Sequence, residues 1–181
     1  MKNFKIYLLL SVSLLIFYGC KQLSKLTKFD LPLEKSVDLP EMPLAIPVPV
    51  ELSDLPPLET EYETTLKQYG VSKENVDIIN IKKITMSLNS PEEIDFSYIK
   101  SIEVAISAGE LPKKRIAYKT SIPENIGQII EFDVDKSVDL KEYIFAGSVN
   151  LHITLSTLKP TPAQNITLLT IFNVDAKILG L

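Results

Sequence analysis

Among 181 residues there is a single cysteine, Cys20, so no intrachain disulfide can form. Any domain of this chain that folds outside the cytosol is therefore held by its apolar core. Tryptophan is absent, which weakens the case for a stacked sugar site. His152 is the only histidine, and with one cysteine this excludes a zinc site built from those two residue types. No Gly-x-Ser-x-Gly elbow is present to raise a nucleophile beside that base. Arg115 is the only arginine, which leaves little scope for bidentate capture of phosphate or carboxylate. The 19 basic residues are outnumbered by 23 acidic ones, and the net charge is -4. That balance argues against a nucleic-acid partner, which requires a basic face. Glycine is also scarce, and none occurs from Lys21 to Tyr69.

What remains is an ordinary globular composition, with 45% apolar and 23% charged residues. The chain opens on a short basic stretch, Met1 to Lys5, followed by an apolar run from Ile6 to Phe17. Lys21, Gln22, Ser24 and Lys25 close that run, which is shorter than the about 20 residues of a helical membrane span. A basic start, an apolar centre and a small residue before the cut describe a signal peptide over residues 1–19, with cleavage after Gly19. The ending Phe17-Tyr18-Gly19-Cys20 resembles the lipobox of bacterial lipoproteins, although Phe17 and Tyr18 are bulkier than that motif prefers. The resemblance implies a diacylglycerol on the Cys20 thiol and an acyl chain on its new amine, an anchor much firmer than one myristate. Lysine rather than aspartate at position 21 implies the outer membrane by the enteric sorting pattern.

Seven of the twelve prolines lie between Pro32 and Pro57. Proline lacks an amide donor and holds φ fixed, which predicts neither a helix nor a central strand here. Residues 20–58 thus read as the lipidated cysteine and a proline-rich tether, on the order of 100 Å long if extended at about 3.1 Å per residue. One part of it departs from a plain spacer. Leu44, Ile46, Val48, Val50 and Leu52 alternate with period 2, as an edge strand docked on the domain would.

From residue 59 to 181 the strand period dominates. Alternating apolar rows run through Tyr62, Thr64, Leu66; Ile84, Met86, Leu88; Ile102, Val104, Ile106; and Ile130, Phe132, Val134. They continue through Val149, Leu151, Ile153, Leu155, with a short candidate at 115–119. The last row is the longest, with Ile166, Leu168, Thr170, Phe172, Val174, Ala176 and Ile178 on one face. Two single helical turns are predicted, at 95–100 and 139–144, with Asp139 as a cap. Seven or eight such strands without a long helix predict an all-β, mostly antiparallel β-sandwich, immunoglobulin-like in architecture only; a small closed barrel is the alternative.

The stretch Ser90-Pro91-Glu92-Glu93-Ile94-Asp95-Phe96-Ser97-Tyr98-Ile99-Lys100-Ser101-Ile102-Glu103-Val104, behind a proline-rich region, is similar to one in small lipoproteins of Gram-negative bacteria. That resemblance implies the fold and the anchor and carries no activity. Glu131, Asp133 and Asp135 share one strand parity and are weak calcium candidates, a solvated face being the plainer reading. Lys113-Lys114-Arg115 reads as a solvated turn. The expectation is a lipid-anchored envelope module that is not an enzyme, uses no cofactor and binds an envelope protein. A carrier holding a small apolar ligand between its sheets is the alternative.

Overall fold

The computed structural model describes residues 28–52 and 55–177. Within them ten strands form two antiparallel sheets, the all-β sandwich expected. The four-stranded sheet has the order β1 (Lys28–Leu39), β10 (Gln164–Ala176), β4 (Val76–Ser90), β7 (Ile129–Glu131). The second sheet runs β2 (Val50–Glu51), β9 (Ser148–Thr157), β5 (Ile99–Ala108), β6 (Leu111–Lys119), β8 (Asp133–Val134), with β3 (Leu58–Glu59) also on β9. Ile79, Ile84, Met86 and Phe172 of the first sheet and Ile102, Val104, Ile153 and Leu155 of the second are buried in one continuous core. No helix among the described residues is long and apolar enough to cross a membrane.

The strand period holds wherever a ladder stays in register. In β10 the even residues from Gln164 to Ala176 are buried and the odd ones half-buried, without exception. The strand lies between β1 and β4, so both its edges are paired. Ile178, expected on the same face, falls outside the described residues. In β4 the pattern drifts, because Lys82 and Asp77 are the extra residues of bulges against β10. Each extra residue turns the following side chains to the other face, which is why the buried set runs Val76, Ile79, Ile81, Ile84. The β5–β6 connection is a two-residue hairpin with Ala108 opposite Leu111. Gly109 there has φ +50°, which a first central turn residue needs and a side chain disfavours.

The main correction concerns the proline-rich segment. The sandwich begins at Lys28, not at Glu59: β1 is a full strand on β10, burying Phe29, Leu31, Leu33, Val37 and Leu39. A proline is tolerated because β1 is an edge strand. Pro32 sits opposite Ile171, and its nitrogen faces away from the ladder. Leu44 to Leu52, whose alternation left it between spacer and docked edge strand, docks in part: Val50 and Glu51 pair with β9, while the side chains of Leu44, Val48 and Val50 are exposed.

A second correction is local. Tyr62 to Leu66, expected as a strand, opens helix α1 (Tyr62–Gln68). Tyr62 and Leu66 are four apart, a spacing that fits both periods. Thr64, which a strand would bury with them, is exposed. The two predicted turns form as a 3-10 turn at Phe96–Tyr98 and helix α2 (Lys141–Ile144). Asp139, expected as the cap, stands one residue before the N-cap Leu140, and its Oδ1 accepts from the amides of Lys141 at 2.9 Å and Ile79 at 3.2 Å.

Candidate functional site

An antiparallel sheet exposes a row of unpaired amides at each edge, and a folded protein has to cover or blunt them. Here the chain does so by crossing between the sheets on both sides. On one side β7 pairs with β4, and after the buried Phe132 the chain changes sheet, so that β8 pairs with β6. On the other side the residues from Pro40 to Leu52 and from Leu55 to Glu59 follow β1 and run as a strap along the free edge of β9. Met42 and Thr161 exchange two amide bonds of 2.9 Å, and Thr157 donates to the Ile46 carbonyl at 2.7 Å. Val50 and Glu51 form β2, Leu52 donates to Ile153 at 2.8 Å, and Leu58 and Glu59 form β3 opposite Val149 and Ser148. Ile46 and Leu52 are both bonded to β9, with five residues between them. Two of these, 47 and 49, are prolines with no amide to offer to another strand.

The strap splits its apolar residues. Ile46 and Leu52 pack against the core, whereas Leu44 is 75% exposed and Val48 64%. Leu158, 60% exposed, follows the end of β9, between the residues that pair with Ile46 and Met42. Leu44, Val48 and Val50 on the strap and Leu158 beyond β9 are thus exposed apolar residues on the side of the sandwich where β1 also lies, itself set with Lys28, Asp30, Glu34 and Asp38.

A polar line fastens this strap to the sheet. Glu51 Oε1 meets His152 Nδ1 at 2.6 Å, and His152 Nε2 meets Ser107 Oγ at 2.8 Å. The other carboxylate oxygen of Glu51 accepts from the Lys113 ammonium. The Lys113 and then the His152 hydrogen bonds hold the Glu51 carboxyl below its ordinary value. The order Ser–His–Glu has the connectivity of a hydrolytic triad. The setting differs, because Ser107 lies within β5, opposite Asn150 of β9 and at a bulge against β6, rather than on a strand-to-helix turn. Open grooves lie beside α1, beside Arg115 and Asp135, and beside Lys159 and Pro162. None of these includes Ser107, His152 or Glu51, and none lies between the sheets. The four residues join β2, β9, β5 and β6 and act as a latch. Parity had placed His152 on the polar face; its partners, 45 and 101 residues away in sequence, left no local signal.

The calcium candidates are not brought together. Glu131 pairs with Lys83 at 2.8 Å and Asp133 with Lys119 at 3.4 Å, and Asp135 accepts from the amide and hydroxyl of Ser137. Glu131 and Asp133 stand on different sheets, because the chain changes sheet between them. Among the described residues no three His, Cys, Asp or Glu side chains converge as metal ligands. The basic cluster also disperses: Lys113 goes to Glu51, the Lys114 ammonium lies 5.7 Å from the Tyr143 ring centre, and Arg115 reaches Glu103 at 3.3 Å. Gly19 and Cys20 lie outside the described residues.

No family model matches the chain, and no curated protein does. Among solved structures, the crystal structure of FLHE aligns with 83% of this chain and 98% of its own at 11% identity and a TM-score of 0.34. A likeness at that level carries no argument about what the chain does.

Proposed function

We propose that the protein is a lipid-anchored, non-enzymatic module of the bacterial cell envelope, held in the outer membrane through Cys20 and docking a protein partner along its strap. The exposed apolar side chains of Leu44, Val48, Val50 and Leu158 carry this reading. Side chains so exposed, on a segment that already covers a sheet edge, fit a surface that is buried in a complex. The reading is favoured over a carrier because the inner faces of the two sheets meet side chain to side chain in a single core. It is favoured over a hydrolase because the grooves beside α1, Arg115 and Lys159 leave out Ser107, His152 and Glu51.

A photo-crosslinking residue at position 48 in cells, with one at position 34 on β1 as control, tests the docking. A discrete protein adduct from position 48, lost in a Leu44→Ser variant, is the expected result. Equal labelling from both positions would overturn it. The anchor is tested separately: Cys20→Ser should move the protein to the soluble fraction or stall its processing. Unchanged membrane association with unchanged processing would sink that part.

A further inference from the structure

If Cys20 is acylated, the start of β1 limits where the domain can be. Only eight residue steps separate Cys20 from Lys28, a reach of about 26–29 Å at about 3.3–3.6 Å per residue. The body it holds is longer: the 13 residues of β10 alone extend about 40 Å. The end carrying Lys28 is therefore kept within one short tether of the bilayer. An intramolecular contact over such a span has a high effective concentration, so even a weak attraction suffices to seat it.

That end is assembled from the start of β1, the end of β10, the start of β4 and the helix α1. Lys28 pairs with Asp175 at 3.0 Å, and Lys177 with Asp77 at 2.7 Å. Tyr69, just after α1, stacks on Phe29 at 4.1 Å between ring centres and still leaves 55% of its surface exposed. The Lys73 ammonium lies 5.3 Å and 4.8 Å from the Tyr62 and Phe145 ring centres. Lys67 and Lys73 have no carboxylate partner among the described residues. Glu63 and Glu74 are close by, so the patch has both signs and its net charge is not the attraction. A rigid, half-exposed tyrosine flanked by long lysines is instead what sits at a headgroup layer, where rings lie at the boundary and ammonium groups reach water and phosphate.

We propose that this end of the sandwich rests on the lipid surface that holds Cys20, with Tyr69 at headgroup level; the inference builds on the lipoprotein reading above. Leu44 and Leu158 then point outward, since they belong to the opposite end of β9 and β10.

The lack of tryptophan makes the test direct. Full-length acylated protein is placed in phosphatidylcholine vesicles with brominated acyl chains, which carry no net charge to attract lysines. Tyr69→Trp or Leu158→Trp supplies the only indole, and the acyl groups on Cys20 are verified by mass. Trp at 69 is expected to shift to the blue and to lose about half of its emission or more, as an indole at the interface does. Trp at 158 should stay red and unquenched. Lys67→Trp, exposed on the same helix, serves if the Tyr69 variant fails to fold. Acylated protein in which the 67 or 69 probe is quenched no more than the 158 probe overturns this inference and leaves the anchor standing. Absence of acyl groups on Cys20 overturns both.

Discussion

Replacing Leu31 by alanine separates a sandwich that begins at β1 from one that begins at residue 59. Leu31 is 1% exposed, on an edge strand opposite Phe172, and faces the core with Leu33 and Phe29. Truncating a buried leucine costs about 2–5 kcal/mol through lost transfer energy and the cavity left behind. An edge strand can shift more easily than a central one, which favours the middle of that range, about 3 kcal/mol. With a urea slope of about 1–3 kcal/mol/M, the midpoint falls by roughly 1–3 M. In a chain of this size the melting temperature falls by roughly 6–12 °C. Glu34→Ala, three residues further on and exposed, is the control and should stay within about 0.5 kcal/mol. Equilibrium unfolding in urea, followed by far-UV circular dichroism, gives both numbers. A Leu31→Ala midpoint indistinguishable from that of Glu34→Ala would mean that residues 28–39 contribute nothing to the core. The tether would then be long after all, and the inference about the membrane-facing end would lose its premise.

Removal of residues 1–57 should leave a fragment without a cooperative transition, because it uncovers the β1 edge of β10, whereas a fragment starting at Lys28 should unfold cooperatively. Phe172→Ala, 2% exposed on the inner face of β10, should cost about 3–5 kcal/mol by denaturation, and Lys177→Ala little. Burial pushes the Tyr98 hydroxyl up to about 12 against a hydrogen bond to Gln164. The unfolded chain therefore loses this proton first, and stability should fall between pH 10 and about 12, by roughly 2–3 kcal/mol if the whole shift is expressed. Tyr98→Phe should show a shallower alkaline decline and cost about 1–3 kcal/mol at neutral pH, because it strands a buried Gln164 oxygen. The Glu51 carboxyl is depressed, so its latch is complete above pH 4.5 and is lost as pH falls through the lower folded value. Exchange protection of the Leu52 amide should drop over that acid range, and Glu51→Gln should remove the dependence.

Strand period alone located the core faces of β5, β9 and β10, because a ladder in register buries every second residue and the buried ones here are aliphatic. It failed in the first half of β4, where bulges reset the parity, and at α1, where a spacing of four fits two periods. The absence of an intrachain disulfide and of a His/Cys zinc site followed from composition, which no fold can alter. What composition misjudged was proline. It bars a residue only from positions whose amide must pair, and an edge strand has as many positions without that demand as with it. Whether Lys28–Leu39 and the strap after it are spacer or structure therefore depended on β10 and β9 having open edges, a property of strands distant in the sequence. The same holds for Glu51, His152, Ser107 and Lys113. Each is an unremarkable polar residue on its own strand, and only the order of strands in the sheet puts one beside the next.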